Sequence, residues 1–216
     1  MGIFNKQIGW SQESNLLWEI ANQLNKLIGV TSKVSGPPGP QGPPGPSDGL
    51  FAQTANSTPV TATTVETSLV NGGVGSMSVP ANGFAVGDSF NAALSGVMDA
   101  ANNQTIRIRV KAGSVVLLDS GIQSLSNAII DDIWTLNIDF TIRQIGAAGV
   151  ASIASFGRFT YAKTNNASLE GFGINTVNST TFDTTVSNML DITVQWGSNN
   201  AGNSIYTDVF VLNKIY

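Results

Sequence analysis

Neither cysteine nor histidine occurs among the 216 residues. Without cysteine the chain has no disulfides, no thiolate metal ligands and no cysteine nucleophile. Without histidine it lacks the commonest metal ligand and the usual general base at neutral pH. Charge is scarce as well. Ionic residues make up 11% of the chain and the net charge is −4, so no basic surface is expected for nucleic acid and no polybasic patch for a membrane. Long apolar runs are missing, which excludes a spanning helix of the usual length. The opening MGIFNKQIGW has no charged stretch followed by an apolar one, so it is not expected to act as a secretory signal. What is present is 23 glycines, 42% hydrophobic residues and abundant Asn, Ser and Thr. That composition fits a folded, β-leaning chain. These exclusions already turn the reading from an enzyme toward a structural or binding protein.

The search for reactive constellations agrees. There is no Gly-x-Ser-x-Gly and no Gly-Lys-Ser/Thr phosphate loop. The pair Asp131-Asp132 is read as a solvated turn before Trp134, since a glycosidase needs two carboxylates facing each other across a cleft. Oxygen ligation of calcium by Asp88, Asp131 or Asp132 has no EF-hand spacing behind it. No catalytic, metal-binding or cofactor-binding residue is assigned.

Composition breaks sharply at residues 36–47, GPPGPQGPPGPS, where glycine recurs at Gly36, Gly39, Gly42 and Gly45 and six of the eight prolines are found. Glycine at every third position lets three polyproline-II chains meet at a crowded axis, and proline at the others preorganises each chain. The repeat predicts a short collagen-like triple helix of roughly 37 Å, at about 3.1 Å per residue. So short a rod needs trimerising elements beside it.

Upstream, residues 11–28 repeat apolar side chains with helical spacing. Leu17, Ile20, Leu24 and Leu27 form the stripe, widened by Ala21 and Ile28, and Ile3 and Trp10 extend it at seven-residue steps. Ser11 is the expected N-cap and Gly29 the expected stop. The segment reads as a trimeric helical bundle that is also an attachment point, with Trp10, Leu17, Trp18, Ile20, Leu24 and Leu27 as the contact residues.

Downstream, residues 133–143 alternate strictly: Trp134, Leu136, Ile138, Phe140 and Ile142 against Thr135, Asn137, Asp139, Thr141 and Arg143. Residues 189–196 and 105–111 do the same, and 89–98, 114–119, 151–162 and 204–216 are further strands. Turn residues such as Asn82-Gly83 and Asn102-Asn103 separate them. Arg107, Arg109 and Lys111 share one strand face; they either meet an anionic ligand such as a polysaccharide or pair with acidic residues of a neighbouring strand or protomer. Tyr206, Phe210 and Tyr216 either fill a core or trimer-axis position or stack on carbohydrate.

The expected class is therefore mainly β: an N-terminal α-helix, a short collagen-like triple helix and a C-terminal antiparallel jelly-roll sandwich, forming a homotrimer. The expected divisions are a helical anchor at 1–35, the Gly-X-Y rod at 36–47, a neck at 48–80 and the head at 81–216.

This layout resembles the trimeric virion fibres, head or tail, of tailed bacteriophages. The opening IGWSQESNLLWEIANQLNKLI is similar to N-terminal segments from crAss-like and other phages of Bacteroidetes-type hosts. The runs WTLNIDF, ASIASFGRFTY and LDITVQW resemble trimeric jelly-roll heads that follow collagen-like repeats. The resemblance implies a virion-surface protein held by its N-terminal segment to a capsid or tail protein. Its head would present itself to host or environmental glycans, and no nucleic acid, membrane or cofactor would be involved. The alternative is a bacterial collagen-like surface or spore-coat filament, which a much longer Gly-X-Y array would have favoured.

Overall fold

The computed structural model describes residues 11–31, 49–125, 127–163, 168–176 and 181–216. The chain divides into two compact units, residues 1–45 and 46–216. Trp10 and the glycines Gly36, Gly39, Gly42 and Gly45 lie outside the described residues.

In the first unit, helix α1 covers Gln12–Thr31, about 30 Å at 1.5 Å per residue. Its start follows expectation. The Ser11 hydroxyl accepts the Ser14 N–H at 3.2 Å, and the Ser11 carbonyl takes the Asn15 N–H at 3.1 Å. Its end does not. Gly29 was expected to stop the helix, but it lies inside it and does not take the left-handed conformation of a terminating glycine.

The second unit is mainly β. Its strands are β1 (Gly49–Gln53), β2 (Val60–Thr61), β3 (Thr67–Ser68), β4 (Gly73–Gly75), β5 (Ser78–Val79), β6 (Ser89–Ala100) and β7 (Gln104–Ala112). They continue as β8 (Val115–Asp119), β9 (Gln123–Leu125), β10 (Ile129–Gln144), β11 (Ser152–Lys163), β12 (Ser168–Thr176), β13 (Asn188–Trp196) and β14 (Ser204–Lys214). Among the described residues every strand pairing is antiparallel. One sheet, here sheet I, runs β4-β1-β14-β6-β10-β11-β12. The other, sheet II, runs β3-β13-β7-β8, with β5 beside β13 and β9 beside β7. A two-residue pairing between β12 and β8 joins them at one side. The two sheets form a sandwich around one apolar core.

Alternation places that core. Trp134, Leu136, Ile138, Phe140 and Ile142 of β10 are all buried, as are Ile106, Ile108 and Val110 of β7 and Leu190, Ile192, Val194 and Trp196 of β13. Their intervening partners face outward. At the centre, Trp134 stacks on Phe159 at 5.6 Å between ring centroids, and Phe159 stacks on Phe172 at 5.1 Å. The Trp134 indole N–H reaches the carbonyls of Val97 and Tyr206 at 3.2 and 3.1 Å. Gly96 lies beside this junction. A Cβ there would meet the Tyr206 carbonyl oxygen at 2.0 Å, so only glycine fits between β6 and β14.

Three features depart from expectation. Asp131 and Asp132 belong to β10 rather than to a turn before it. They sit at a bulge where Asp131 takes φ 51° and its N–H donates to the Asp99 carboxylate at 2.8 Å, while Asp132 is buried. Residues 168–176 form a strand where none was expected. The expected neck at 48–80 supplies β1 to β5. The Ser57 hydroxyl accepts the Thr207 N–H at 2.9 Å, and Trp196 donates its indole N–H to the Val60 carbonyl at 3.0 Å.

The central junction gives a direct test. Trp134→Phe keeps an aromatic side chain but removes the N–H that two strand carbonyls share, at an expected cost of about 1–3 kcal/mol, with a further loss from the void left by the smaller ring. Gly96→Ala is expected to cost more, because backbone must move. Urea unfolding of both variants measures this; wild-type stability in either contradicts the account.

Candidate functional site

Strand β7 carries a row of three cations on the second unit. Arg107, Arg109 and Lys111 stand on its outer face, two residues apart, as the period of a strand requires. Arg107 grips the Asp119 carboxylate with two N–H groups, the Nε contact being 2.8 Å. Arg109 reaches Glu66 at 2.6 Å and Asp119 at 3.3 Å, and Lys111 reaches Glu66 at 3.2 Å. Thr193 on β13 donates its hydroxyl to Glu66 at 2.7 Å, and Gln195 donates to the Thr64 carbonyl at 2.9 Å. The basic row is therefore engaged by acidic residues of its own chain, and the polysaccharide reading of this face loses its free cations. Sequence reading identified the three cations. Glu66, in the segment 48–80 expected to be a neck, meets them only through the fold.

This network fixes the titration of its carboxylates. The hydrogen bond from Arg107 is the largest influence on Asp119. Together with the Gly121 N–H and the nearby guanidinium charges, it overcomes burial and holds that carboxyl below its ordinary 3.8. For Glu66 burial is the largest single influence and pushes upward. The hydrogen bonds of Thr193 and Lys111 and the charges of Arg109 and Lys111 outweigh it, so the carboxyl sits below its ordinary 4.5.

The C-terminal aromatics do not form one surface. Phe210 is buried against Phe51, at 5.3 Å between centroids; Tyr206 is half-buried on the outer face of sheet I; and Tyr216 is exposed. Burial is the main influence raising the Tyr206 hydroxyl pKa, with the charges of Asp208, Asp131 and Asp99 adding to it.

At the end of the sandwich where β1 begins lies an apolar cavity of about 280 Å³, lined among others by Leu50, Met77, Phe84, Phe90, Phe182 and Leu212. Asp88 is the one carboxylate in its described lining. It is tied to Lys214 at 2.7 Å and to the Ala85 N–H at 2.9 Å. A lone carboxylate held this way does not provide the paired acid and base of glycoside hydrolysis. Among the described residues no group of three or more acidic side chains is arranged to hold a metal ion.

Along α1 the expected contact residues Leu17, Trp18, Ile20, Leu24 and Leu27 are all exposed within that helix, Leu17 at 66% and Leu24 at 44%. Comparisons of the chain with protein-family models, with curated proteins and with solved structures return no match.

The sign of the acid response follows from the two depressed carboxyls. Each contributes stability that is complete above its ordinary value and is lost as pH falls through its lower folded value. The head is thus expected to weaken progressively below about pH 4.5. Glu66→Gln with Asp119→Asn is expected to lower stability at pH 7 and to flatten this acid limb. Unfolding midpoints across pH 7 to 2.5 test it; a limb as steep as wild type in the double variant contradicts it.

Proposed function

We propose that the protein is the subunit of a homotrimeric fibre on the surface of a bacteriophage particle. Its N-terminal segment attaches to a capsid or tail protein, a short Gly-X-Y rod spaces the fibre, and a jelly-roll head is displayed. The observation that carries this reading is the order of parts along one chain: an apolar-striped helix, four Gly-X-Y triplets and a β-sandwich. Glycine every third residue has a packing purpose only when three chains share an axis. Four triplets suit a spacer rather than a filament.

The strand order supports the jelly-roll part. Take β1, β3, β6, β7, β8, β10, β13 and β14 as positions one to eight. One sheet then reads 1-8-3-6 and the other 2-7-4-5. Folding a long hairpin with pairs 1-8, 2-7, 3-6 and 4-5 over itself in two layers produces this order, which is that of a jelly roll. The hairpin β11–β12 is an addition on the β10 edge.

The helix supports attachment. Its apolar stripe lies at the opposite end of the sequence from the head, and the aromatic Trp18 is of a type enriched at interface hot spots. A stripe of two heptads is too short to hold a coiled coil on its own. A binding surface for a glycan is not assigned: the basic row is paired within the chain, and the C-terminal aromatics face different ways.

The test is incorporation. Leu17→Ser with Leu24→Ser removes two side chains, each worth roughly 1.5–3 kcal/mol on burial, from every chain of the fibre. Particles grown with this variant are expected to lack the fibre by immunolabelling, while the variant protein stays soluble and folded. Normal labelling of particles carrying the double variant would place attachment elsewhere.

A further inference from the structure

The two outer faces of the sandwich differ in kind. Sheet II presents the ion-paired network of Arg107, Arg109, Lys111, Glu66 and Asp119. Sheet I over β4, β1, β14 and β6 presents a central block of small, uncharged side chains, with Tyr206 and acidic residues at its margin. The ladder register aligns Val74, Ala52, Val211 and Ala93 in one row across four strands. Val209 and Ser95 form the next row, and Asn213 and Asn91 flank the first on its other side. Val74 is 71% exposed and Val209 is 51% exposed. Acidic groups stand at the margins of this patch: Asp208, the extra residue of the β14 bulge, Asp99 farther along β6, and Asp139 of β10, whose carboxylate accepts the Asn91 amide at 2.8 Å.

The position of the patch follows from chain length. Gly45 is the last glycine of the repeat, and Gly49 already pairs with Asn213 of β14. Four residues reach at most about 14 Å. In a trimer whose rod lies on the threefold axis, each β1 must therefore begin close to that axis. Neighbouring strands are about 4.8 Å apart, so β14 and β6 come with it. Ile215 and Tyr216, just past the end of β14, are exposed at the same end. They are held there by backbone hydrogen bonds with Ser89, at 2.8 Å to the Ile215 N–H and 3.0 Å from the Ser89 N–H to the Tyr216 carbonyl.

We infer that the outer face of sheet I over β1, β14 and β6, centred on Ala52, Ala93, Val209 and Val211, is the surface on which the heads of three copies of this chain meet. The inference rests on the trimeric reading above. Depletion of charge is the compositional mark of an interface core, and the centre of this face, Ala52, Val211, Ala93, Val209 and Ser95, has it where the sheet II row does not. Small side chains let neighbouring sheets approach closely. A threefold ring joins unlike patches of successive protomers and closes on itself, so no end of the assembly leaves the patch uncovered. The sheet II face, whose cations are already paired within the chain, then points outward.

The absence of cysteine makes the test clean. In the full chain, Val211→Arg is expected to shift the native mass from three chains to one at micromolar concentration, with the β circular dichroism retained. Val65→Arg, on exposed backbone beside Glu66, is expected to remain trimeric. Should Val211→Arg fail to fold, single cysteines decide. A maleimide should label Val209→Cys at least tenfold more slowly than Val65→Cys, provided that both variants have the wild-type mass. Equal labelling rates, or a trimeric Val211→Arg, would overturn the assignment of this face while leaving the trimer intact. A wild-type chain that is itself a monomer would overturn the trimer and this face together.

Discussion

A strand shows its side chains to two faces by turns, and the head depends on which residues fall on which face. Inward positions of β6, β7, β10, β13 and β14 hold the buried apolar residues. Outward positions then divide into two chemistries. On sheet II the row on β7 is ionic and paired within the chain; on sheet I the stretch over β1, β14 and β6 around Ala52, Val211 and Ala93 is small and neutral. Because the side-chain period is two, a slip of one residue in any of these strands would exchange core for surface. The register is further pinned where bulk matters most: Trp134 donates across the β6–β14 junction at the one place where Gly96 leaves room.

Long alternating strands were legible because burial alone dictates them. Residues 133–143, 105–111 and 189–196 lie in the strands their patterns called for, with the expected faces inside. The strand Ser168–Thr176 was hidden because Gly171 and Gly173 resemble turn residues. In the structure a Cβ at Gly171 would meet the Phe159 carbonyl at 2.4 Å, so glycine there serves close strand approach. Asp131-Asp132 misled for a related reason: a left-handed residue inside a bulge has the composition of a turn. Strands β2 to β5 are two or three residues long, too short to display any period. Their place is set by distant partners, such as Trp196 for Val60 and Asp191 for Ser68.

The candidate surfaces were legible to different degrees. The three cations of β7 are visible in the sequence because strand periodicity places them together. Their acidic partners are set by tertiary contact, with Glu66 reached across more than forty residues of chain. The helix stripe is visible because its spacing is local, and the helix was found over nearly the expected span. The bare face of sheet I has no signature in any single strand. It exists only once Val74, Ala52, Val211 and Ala93, from four separated segments, are brought into one row by pairing.

The account turns on three chains sharing one axis, and the mass of the intact chain in native solution tests that most directly. The account predicts a single species of three times the 22.5 kDa of one chain, persisting on dilution to micromolar concentration. A species of 22.5 kDa under the same conditions would contradict it.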